Sequence, residues 1–366
     1  MNILYLSNLT GNLFAGPNNS VPAQIRAQSK IDNVFWYNIN NMKRDEWKAL
    51  NCFNLKDYPT GRLKDLPTPF NKPDIIVIEE FYCFPFCKLI KEAVKNKIPY
   101  IIIPRSELTK NAQRKKYIKK FLGNVVYFKK MAQKATAIQF LSLQEKLDTG
   151  EKWNKKYMII PNGIEISNNK KDGFSKNEIK ATYIGRYELY QKGLDILIDA
   201  IANTQDILRQ NNFILNMYGV DQEGTIKIIG KKIIEYGISD LVKINSAVFG
   251  EEKKKIILES DVFVLTSRFE GMPMGLIEAL SYGIPCLVTK GTNMSEDINS
   301  YNAGWTSDNT IENLKDAIKK MLKDKEKFEI IGDNAKKLSL KYSWKQIAEK
   351  THNEFEKIIL EELKWT

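Results

Sequence analysis

The chain has one histidine, four cysteines and no long apolar run, and each scarcity excludes something. Cys52, Cys83, Cys87 and Cys286 are too few and too irregularly spaced for a disulfide framework. Cys83 and Cys87 also lack the nearby histidines of a zinc site, so buried free thiols are expected. No segment approaches about eighteen consecutive apolar residues, the length of a membrane-spanning helix. The first residues run straight into a strand-like segment without a charged-then-apolar export signal, and a cytoplasmic protein is expected. No Asp-x-Asp pair follows a strand, so neither a divalent metal nor a resident cofactor is expected. The lone histidine, His352, stands in a helical terminal segment with no catalytic neighbour and reads as a surface residue. No side chain presents itself as a covalent nucleophile.

What the chain does have is an alternation of strand-like and helix-like runs over 366 residues, 43% of them hydrophobic. That length and composition suit two domains with sizeable cores. Strands are expected at Ile3–Ser7, Asp74–Glu79, Tyr100–Pro104 and Ala135–Leu141. A second set lies at Ala181–Gly185, Phe213–Gly219, Val242–Ser246, Asp261–Ser267 and Cys286–Thr289. Strands alternating with helices specify parallel βαβ units, hence an α/β fold of two doubly wound sheets. Ile160-Pro-Asn-Gly-Ile164 is a turn-forming break between them. The expected organisation is therefore 1–163, 164–343 and a terminal amphipathic helix over 344–366.

The chemistry is densest at Glu270-Gly-Met-Pro-Met-Gly-Leu-Ile-Glu278. A buried strand leads into it and a helix entrance is expected at Ile277, while Gly271 and Pro273 prevent one continuous helix. Glu270 then sits on the loop and Glu278 in the first helical turn, two carboxylates facing one cleft. Carboxylates accept hydrogen bonds from hydroxyls, and a helix N-terminus attracts phosphate. A ligand bearing both, such as a nucleotide sugar, suits the pair. Gly275 admits a diphosphate close to the backbone, next to Met274 and the amides of Leu276 and Ile277. The same residues also fit an ordinary strand-turn-helix with solvated caps. A second cluster follows the strand ending at Gly185, with Arg186 at its carboxyl end and Lys192-Gly193 opening a helix. In a parallel sheet both would converge with Glu270 and Glu278 outside the strand ends.

The net charge of +12 is uneven: Thr109 to Lys134 holds nine basic residues and no acidic one. Tyr117, Ile118, Phe121, Leu122, Val125, Tyr127 and Phe128 lie among them, so part of 109–134 reads as a basic amphipathic helix. Such a helix suits an anionic membrane surface, each lysine contributing about 1 kcal/mol. A solvated helix of a lysine-rich protein fits equally. No nucleic-acid recognition motif accompanies the charge, so no nucleic-acid partner is expected.

The order Gly185-Arg186, Lys192-Gly193, Tyr218-Gly219 and Ser267-Arg-Phe-Glu-Gly-Met-Pro-Met-Gly-Leu-Ile-Glu-Ala-Leu-Ser-Tyr-Gly-Ile-Pro-Cys-Leu-Val-Thr289 resembles the retaining glycosyltransferases of family four and their EX7E pattern. The resemblance is strong over about 160–345. It covers the amino half more loosely, through Met1–Ser7, Gly16-Pro17-Asn18 and Pro104-Arg105-Ser106-Glu107-Leu108. It implies the GT-B architecture of two Rossmann-like halves facing a cleft, with the terminal helix crossing back to the amino half. It implies a hexosyltransferase that uses a nucleotide-diphosphate sugar, with UDP expected because UDP donors predominate in comparable relatives. By resemblance Arg186 and Lys192 stabilise the leaving diphosphate, Glu270 orients the sugar, Glu278 holds the ribose hydroxyls, and the Gly16 loop closes on the phosphates. The implied acceptor is a lipid-linked saccharide or glycan of a bacterial capsule, O-antigen or cell surface. Family members often carry a histidine in the amino-domain cleft. This chain has Arg105 and Glu107 there instead, which become acceptor candidates, although a structural Arg–Glu pair fits equally. Two other functions are compatible with such a fold: a catalytically silent partner that binds glycan, and a sugar-nucleotide epimerase.

Overall fold

The computed structural model describes residues 1–12, 16–40, 44–114, 116–175, 177–221 and 224–363. It divides into two compact units: unit 1 is Met1–Gly163 with Trp344–Thr366, and unit 2 is Ile164–Ser343.

Among the described residues, unit 1 has a sheet of β1 (Asn2–Ser7), β2 (Asn33–Asn38), β3 (Cys52–Phe53), β4 (Ile75–Ile78), β5 (Tyr100–Ile102), β6 (Ala137–Phe140) and β7 (Tyr157–Ile159). Their spatial order is β3-β2-β1-β4-β5-β6-β7 and every pairing is parallel. Helices cover both faces of such a sheet, so central strands carry unbroken apolar runs: all four residues of β4 are fully buried. The strand order reverses between β1 and β4, where an open α/β sheet offers its crevice. Helix α1 (Pro17–Gln28) follows β1, and α2 (Leu143–Thr149) follows β6.

Unit 2 repeats the pattern with β8 (Ile179–Ile184), β9 (Phe213–Tyr218), β10 (Val242–Asn245), β11 (Val262–Leu265), β12 (Cys286–Thr289) and β13 (Gly304–Ser307). The order β10-β9-β8-β11-β12-β13 is again all parallel. The reversal here falls between β8 and β11, which pair directly, so residues leaving these two strands emerge as neighbours. Three helices matter to the site: α3 (Leu194–Asn203), α4 (Gly250–Glu259) and α5 (Met274–Ser281).

The terminal helix α6 (Trp344–Leu363) belongs to unit 1. Its Trp344, Ile347, Ala348 and Phe355 join Ile3, Val21 and Trp36 in one buried cluster. A Cβ on Gly163 would lie 2.5 Å from the Trp344 ring, so only glycine fits beneath it. His352 is not the free surface residue expected. Its Nδ1 lies 2.9 Å from Asp32, a carboxylate that also accepts from the Met1 ammonium and Gln28. Burial pushes the Asp32 carboxyl upward, but these donors outweigh it and hold it below the ordinary range. His352 thus fixes α6 to the turn after α1.

The basic stretch is not one amphipathic helix. It forms short helices at Lys110–Arg114, Tyr117–Gly123 and Lys129–Lys134, with a wide helical turn at Asn124–Phe128. Lys116 adopts φ +54°, which breaks the first from the second. Phe128 and Met131 turn into the core, whereas Tyr117, Ile118, Phe121, Leu122, Val125 and Val126 are exposed beside the lysines. Lys115 lies outside the described residues. No described helix is long and apolar enough to cross a membrane.

Candidate active site

The exits of β8 and β9, and the start of α3 with the exit of β11, are held by close backbone packing. Gly219 lies so near Gly185 that a Cβ there would come within 1.9 Å of the Gly185 carbonyl oxygen. Buried Tyr183 donates its hydroxyl to the Arg186 carbonyl at 2.7 Å, fixing the next residue of the turn. Gly193 opens α3 with φ +61°, and a Cβ on it would meet the Thr266 carbonyl oxygen at 2.1 Å. Thr266 in turn donates its hydroxyl to the Lys192 carbonyl at 3.1 Å. On the same loop Arg268 forks onto Asp195 with two bonds of 2.7 Å, and its amide donates to the Gln191 carbonyl at 2.8 Å. Its guanidinium also stands 4.5 Å from the Tyr190 ring centre. Residues 190–195 and 266–270 therefore behave as one rigid edge.

That rigidity brings two of the candidate residues together. Lys192 Nζ donates to Glu270 Oε1 at 2.5 Å, and the Ser267 hydroxyl donates to the same oxygen at 2.6 Å. The side chains are 13% and 9% exposed, so each charge depends on the other. The Asn293 side chain donates to the Glu270 carbonyl, which fixes the loop from the other side. Arg186 stays outside this pair. It is exposed and reaches only Gln191, at 3.2 Å, among the described residues, so its charge remains open to a ligand. Glu278 also stands apart, in an ion pair with Lys253 of α4. Glu270 and Glu278 thus hold different lysines and share no common partner among the described residues.

Helix α5 begins earlier than expected, at Met274, which places Glu278 beyond the first turn. The amides of Leu276 and Ile277 are also not aimed at a ligand. Both donate to the Pro273 carbonyl, at 3.0 and 3.2 Å, because the turn closes on the proline. Gly275 precedes them on the same turn. A Cβ there would touch only Ile184 and Phe263 at 3.6 Å, so protein packing does not require a glycine.

In unit 1, Gly16 caps α1, and its carbonyl accepts from the amides of Asn19 and Ser20. Arg105 is not available to an acceptor. Its guanidinium is 6% exposed and bonds fully buried Glu79 at 2.7 and 2.9 Å, Gln24 at 3.1 Å, Ser20 at 3.1 Å and Asn162 at 3.2 Å. It is the hub that ties β4, α1 and the end of β7 together. Arg105 and Ser106 both have positive φ, +46° and +69°, a costly pair of conformations. The buried carboxylate of Glu145 on α2 accepts the Ser106 amide and holds the turn. Glu107 does not pair with Arg105. Its carboxylate accepts the Phe81 amide at 2.5 Å, and burial raises its affinity for a proton despite that bond.

Glu80 was not among the residues singled out from sequence. It follows β4 at the reversal of the unit 1 sheet, with the Asn8 amide as a donor. Burial, then the nearby charges of Glu107 and Glu79, push its carboxyl up to about 7, with Arg105 opposing. Because the folded value exceeds the ordinary 4.5, the stabilisation is complete below about pH 4.5 and is lost as pH rises through about 7. Glu80→Gln is expected to remove that dependence. At pH 8 the variant should be more stable than wild type by on the order of 2 kcal/mol, and below pH 4.5 the two should converge. Parallel urea titrations at pH 4, 6 and 8 check this; a constant difference across that range would mean that Glu80 does not titrate there.

Sequence reasoning also missed Ser267, Arg268, Asp195, Lys253, Glu79 and Glu145. Ser267 had a signal, three residues before Glu270 inside the motif. The others act through contacts between distant segments that no spacing reveals.

Residues 165–338, nearly all of unit 2, match the model of glycosyl transferases group 1. Unit 2 is thus a glycosyltransferase domain, and the fold is the GT-B architecture. An uncharacterized glycosyltransferase of Methanocaldococcus jannaschii is 23% identical to this transferase over 323 residues, 87% of this chain and 84% of that protein. An Escherichia coli UDP-Gal:alpha-D-GlcNAc-diphosphoundecaprenol alpha-1,3-galactosyltransferase is 29% identical over 37% of this chain and 36% of its own length. Other curated relatives likewise align over only about half of their length, as with 47% and 54% for two more M. jannaschii glycosyltransferases. The structure of Anabaena HepE in complex with UDP matches the transferase with a TM-score of 0.68 at 16% identity, over 98% of this chain and all of that one.

Proposed function

We propose that this glycosyltransferase moves a sugar, with retention, from a nucleotide-diphosphate donor to a hydroxyl of a lipid-linked saccharide or glycan used in bacterial surface polysaccharide. The observation that carries the reading is the Lys192–Glu270 pair at the exit of β11, beside Arg186 at the exit of β8. As the bond from sugar to phosphate breaks, negative charge grows on the leaving diphosphate. Preorganised cations in a fixed frame stabilise such charge far better than solvent does. Lys192 and Arg186 fill that role without a metal, and Glu270, once its lysine turns to phosphate, accepts bonds from sugar hydroxyls. Glu278 and Lys253 present a hydrogen-bonding edge for the ribose. With no nucleophile in play, displacement is front-face, and the leaving phosphate takes the proton of the acceptor hydroxyl. UDP is the proposed nucleotide, in keeping with the UDP complex of the Anabaena neighbour and the UDP-galactose donor named for the E. coli relative. The exposed basic and apolar residues of 109–134 suit attachment to the inner face of an anionic membrane.

The test is nucleotide release from a panel of UDP-, GDP- and ADP-sugars in EDTA, comparing wild type with Gly275→Ala. One donor should be hydrolysed slowly without metal. The added methyl meets only ordinary protein contacts, so the variant should melt at or slightly above the wild-type temperature, while its KM for that donor rises at least tenfold. A variant with unchanged KM would remove the α5 turn from the donor site. A panel in which no sugar nucleotide is cleaved or raises the melting temperature would overturn the reading.

A further inference from the structure

Two aromatic side chains on the rigid edge of unit 2 stay out of its core: Tyr190 is 65% exposed and Phe269 37%. Tyr190 stands two residues before Lys192 and Phe269 directly before Glu270, so each loop that supplies half of the ion pair also supplies a ring. Exposure alone would say little, since single apolar residues are common on a surface. What sets Tyr190 apart is how firmly it is mounted. Its carbonyl accepts from Arg268 Nη1 at 2.8 Å and from the Gly193 amide at 3.2 Å. One face of its ring lies over the Arg268 guanidinium, which Asp195 grips through both carboxylate oxygens. A guanidinium forked in this way is a fixed backing, so the ring is held in place while most of its surface stays open. The Phe269 carbonyl in turn accepts from the Gln191 side chain at 3.4 Å, and Gln191 also accepts from Arg186. The second ring is thereby tied to the exposed cation of the site.

The polar and apolar parts of this edge match two kinds of surface on one ligand. A pyranose carries hydroxyls around its rim and C–H bonds on its faces. The cations and the carboxylate suit phosphate and hydroxyls, and neither of those groups calls for a ring. A fixed, open tyrosine suits the C–H face, because it offers a large apolar area with only two rotatable bonds to order. Resting on the function proposed above, we infer that Tyr190 is a substrate-positioning residue whose open ring face packs against a pyranose of the saccharide substrate, in the donor or in the acceptor, and holds it in register with Glu270. A nucleobase is the other flat partner that an aromatic ring takes, and the test separates the two.

The experiment compares wild type, Tyr190→Ala and Tyr190→Phe, each as the full chain, in three arms. These are inhibition by the nucleoside diphosphate of the cleaved donor, KM for that donor in water, and KM for octyl glycosides supplied as acceptors. Tyr190→Ala should raise KM at least fivefold in one of the two saccharide arms, which names the source of the pyranose. Its kcat should stay within threefold of wild type, and inhibition by the nucleoside diphosphate should not move. Tyr190→Phe keeps the ring and should match wild type in every arm. The side chain is exposed, so both variants should fold, and melting curves check that. A nucleoside diphosphate that loses as much affinity as the donor would make the ring a nucleobase platform and overturn the proposal. So would an unchanged donor KM in Tyr190→Ala, combined with glycosides that are either unaffected or not accepted at all. Those results leave donor cleavage intact and remove this inference alone, whereas a wild type that cleaves no sugar nucleotide removes the transferase reading and this inference with it.

Discussion

Replacing Lys192 with alanine is expected to slow donor cleavage by two to three orders of magnitude. That is the usual cost of removing one preorganised group from a developing anion. Stability will fall as well, because Glu270 keeps a nearly buried charge with only the Ser267 hydroxyl left on it. A double variant, Lys192→Met with Glu270→Gln, separates the two effects. It carries no unpaired charge, so its melting temperature should return close to wild type while turnover stays low. Single-turnover rates with the cleaved donor, measured beside melting curves, decide the matter. If Lys192→Ala keeps more than a tenth of the wild-type rate, the lysine serves only to hold Glu270.

The second large effect is on folding. Arg105→Met should lower the stability of unit 1 by about 3–5 kcal/mol, the cost of leaving a buried carboxylate without its partner. For a domain of that size this is a fall of about 10 °C in melting temperature. Burial already drives the Glu79 carboxyl upward, and Arg105 is what opposes it. Adding Glu79→Gln to the Arg105→Met background should therefore recover much of the loss, since a buried amide needs hydrogen bonds but no counter-charge. Thermal unfolding of the three variants at pH 7.5 checks this. A single variant that melts within 2 °C of wild type would mean that Glu79 is already neutral in the native protein.

The unequal legibility of the two units has a physical source. Strands β4 and β11 could be read because both faces of each are covered and the residues are continuously apolar, and β1, β8 and β12 because most of their residues are buried. Strands β2, β3, β7 and β13 were passed over. β2 is an aromatic run flanked by asparagines, β3 has two residues, and β7 and β13 are short strands at the far sides of their sheets. On the donor side, Lys192 and Glu270 could be placed together because the parallel topology alone brings the exits of β8 and β11 side by side. The acceptor side offered no such shortcut. Arg105 looked free because Glu79, Gln24 and Asn162 reach it from segments 26, 81 and 57 residues away. Glu80 left a faint trace, an acidic pair closing an all-apolar strand.

The excursion of the chain from Gly163 to Trp344 carries a consequence for biosynthesis. Unit 2 is continuous and has its whole sheet once residue 343 has left the ribosome. Unit 1 must wait for its last helix, because Trp344, Ile347 and Phe355 close the hydrophobic face that Ile3, Val21 and Trp36 leave open. The domain synthesised first is thus the one completed last, and domains otherwise tend to fold in the order of their synthesis. During that interval the amino-terminal sheet keeps an uncovered apolar face, and a nascent chain held there is the form of this protein most in need of a chaperone.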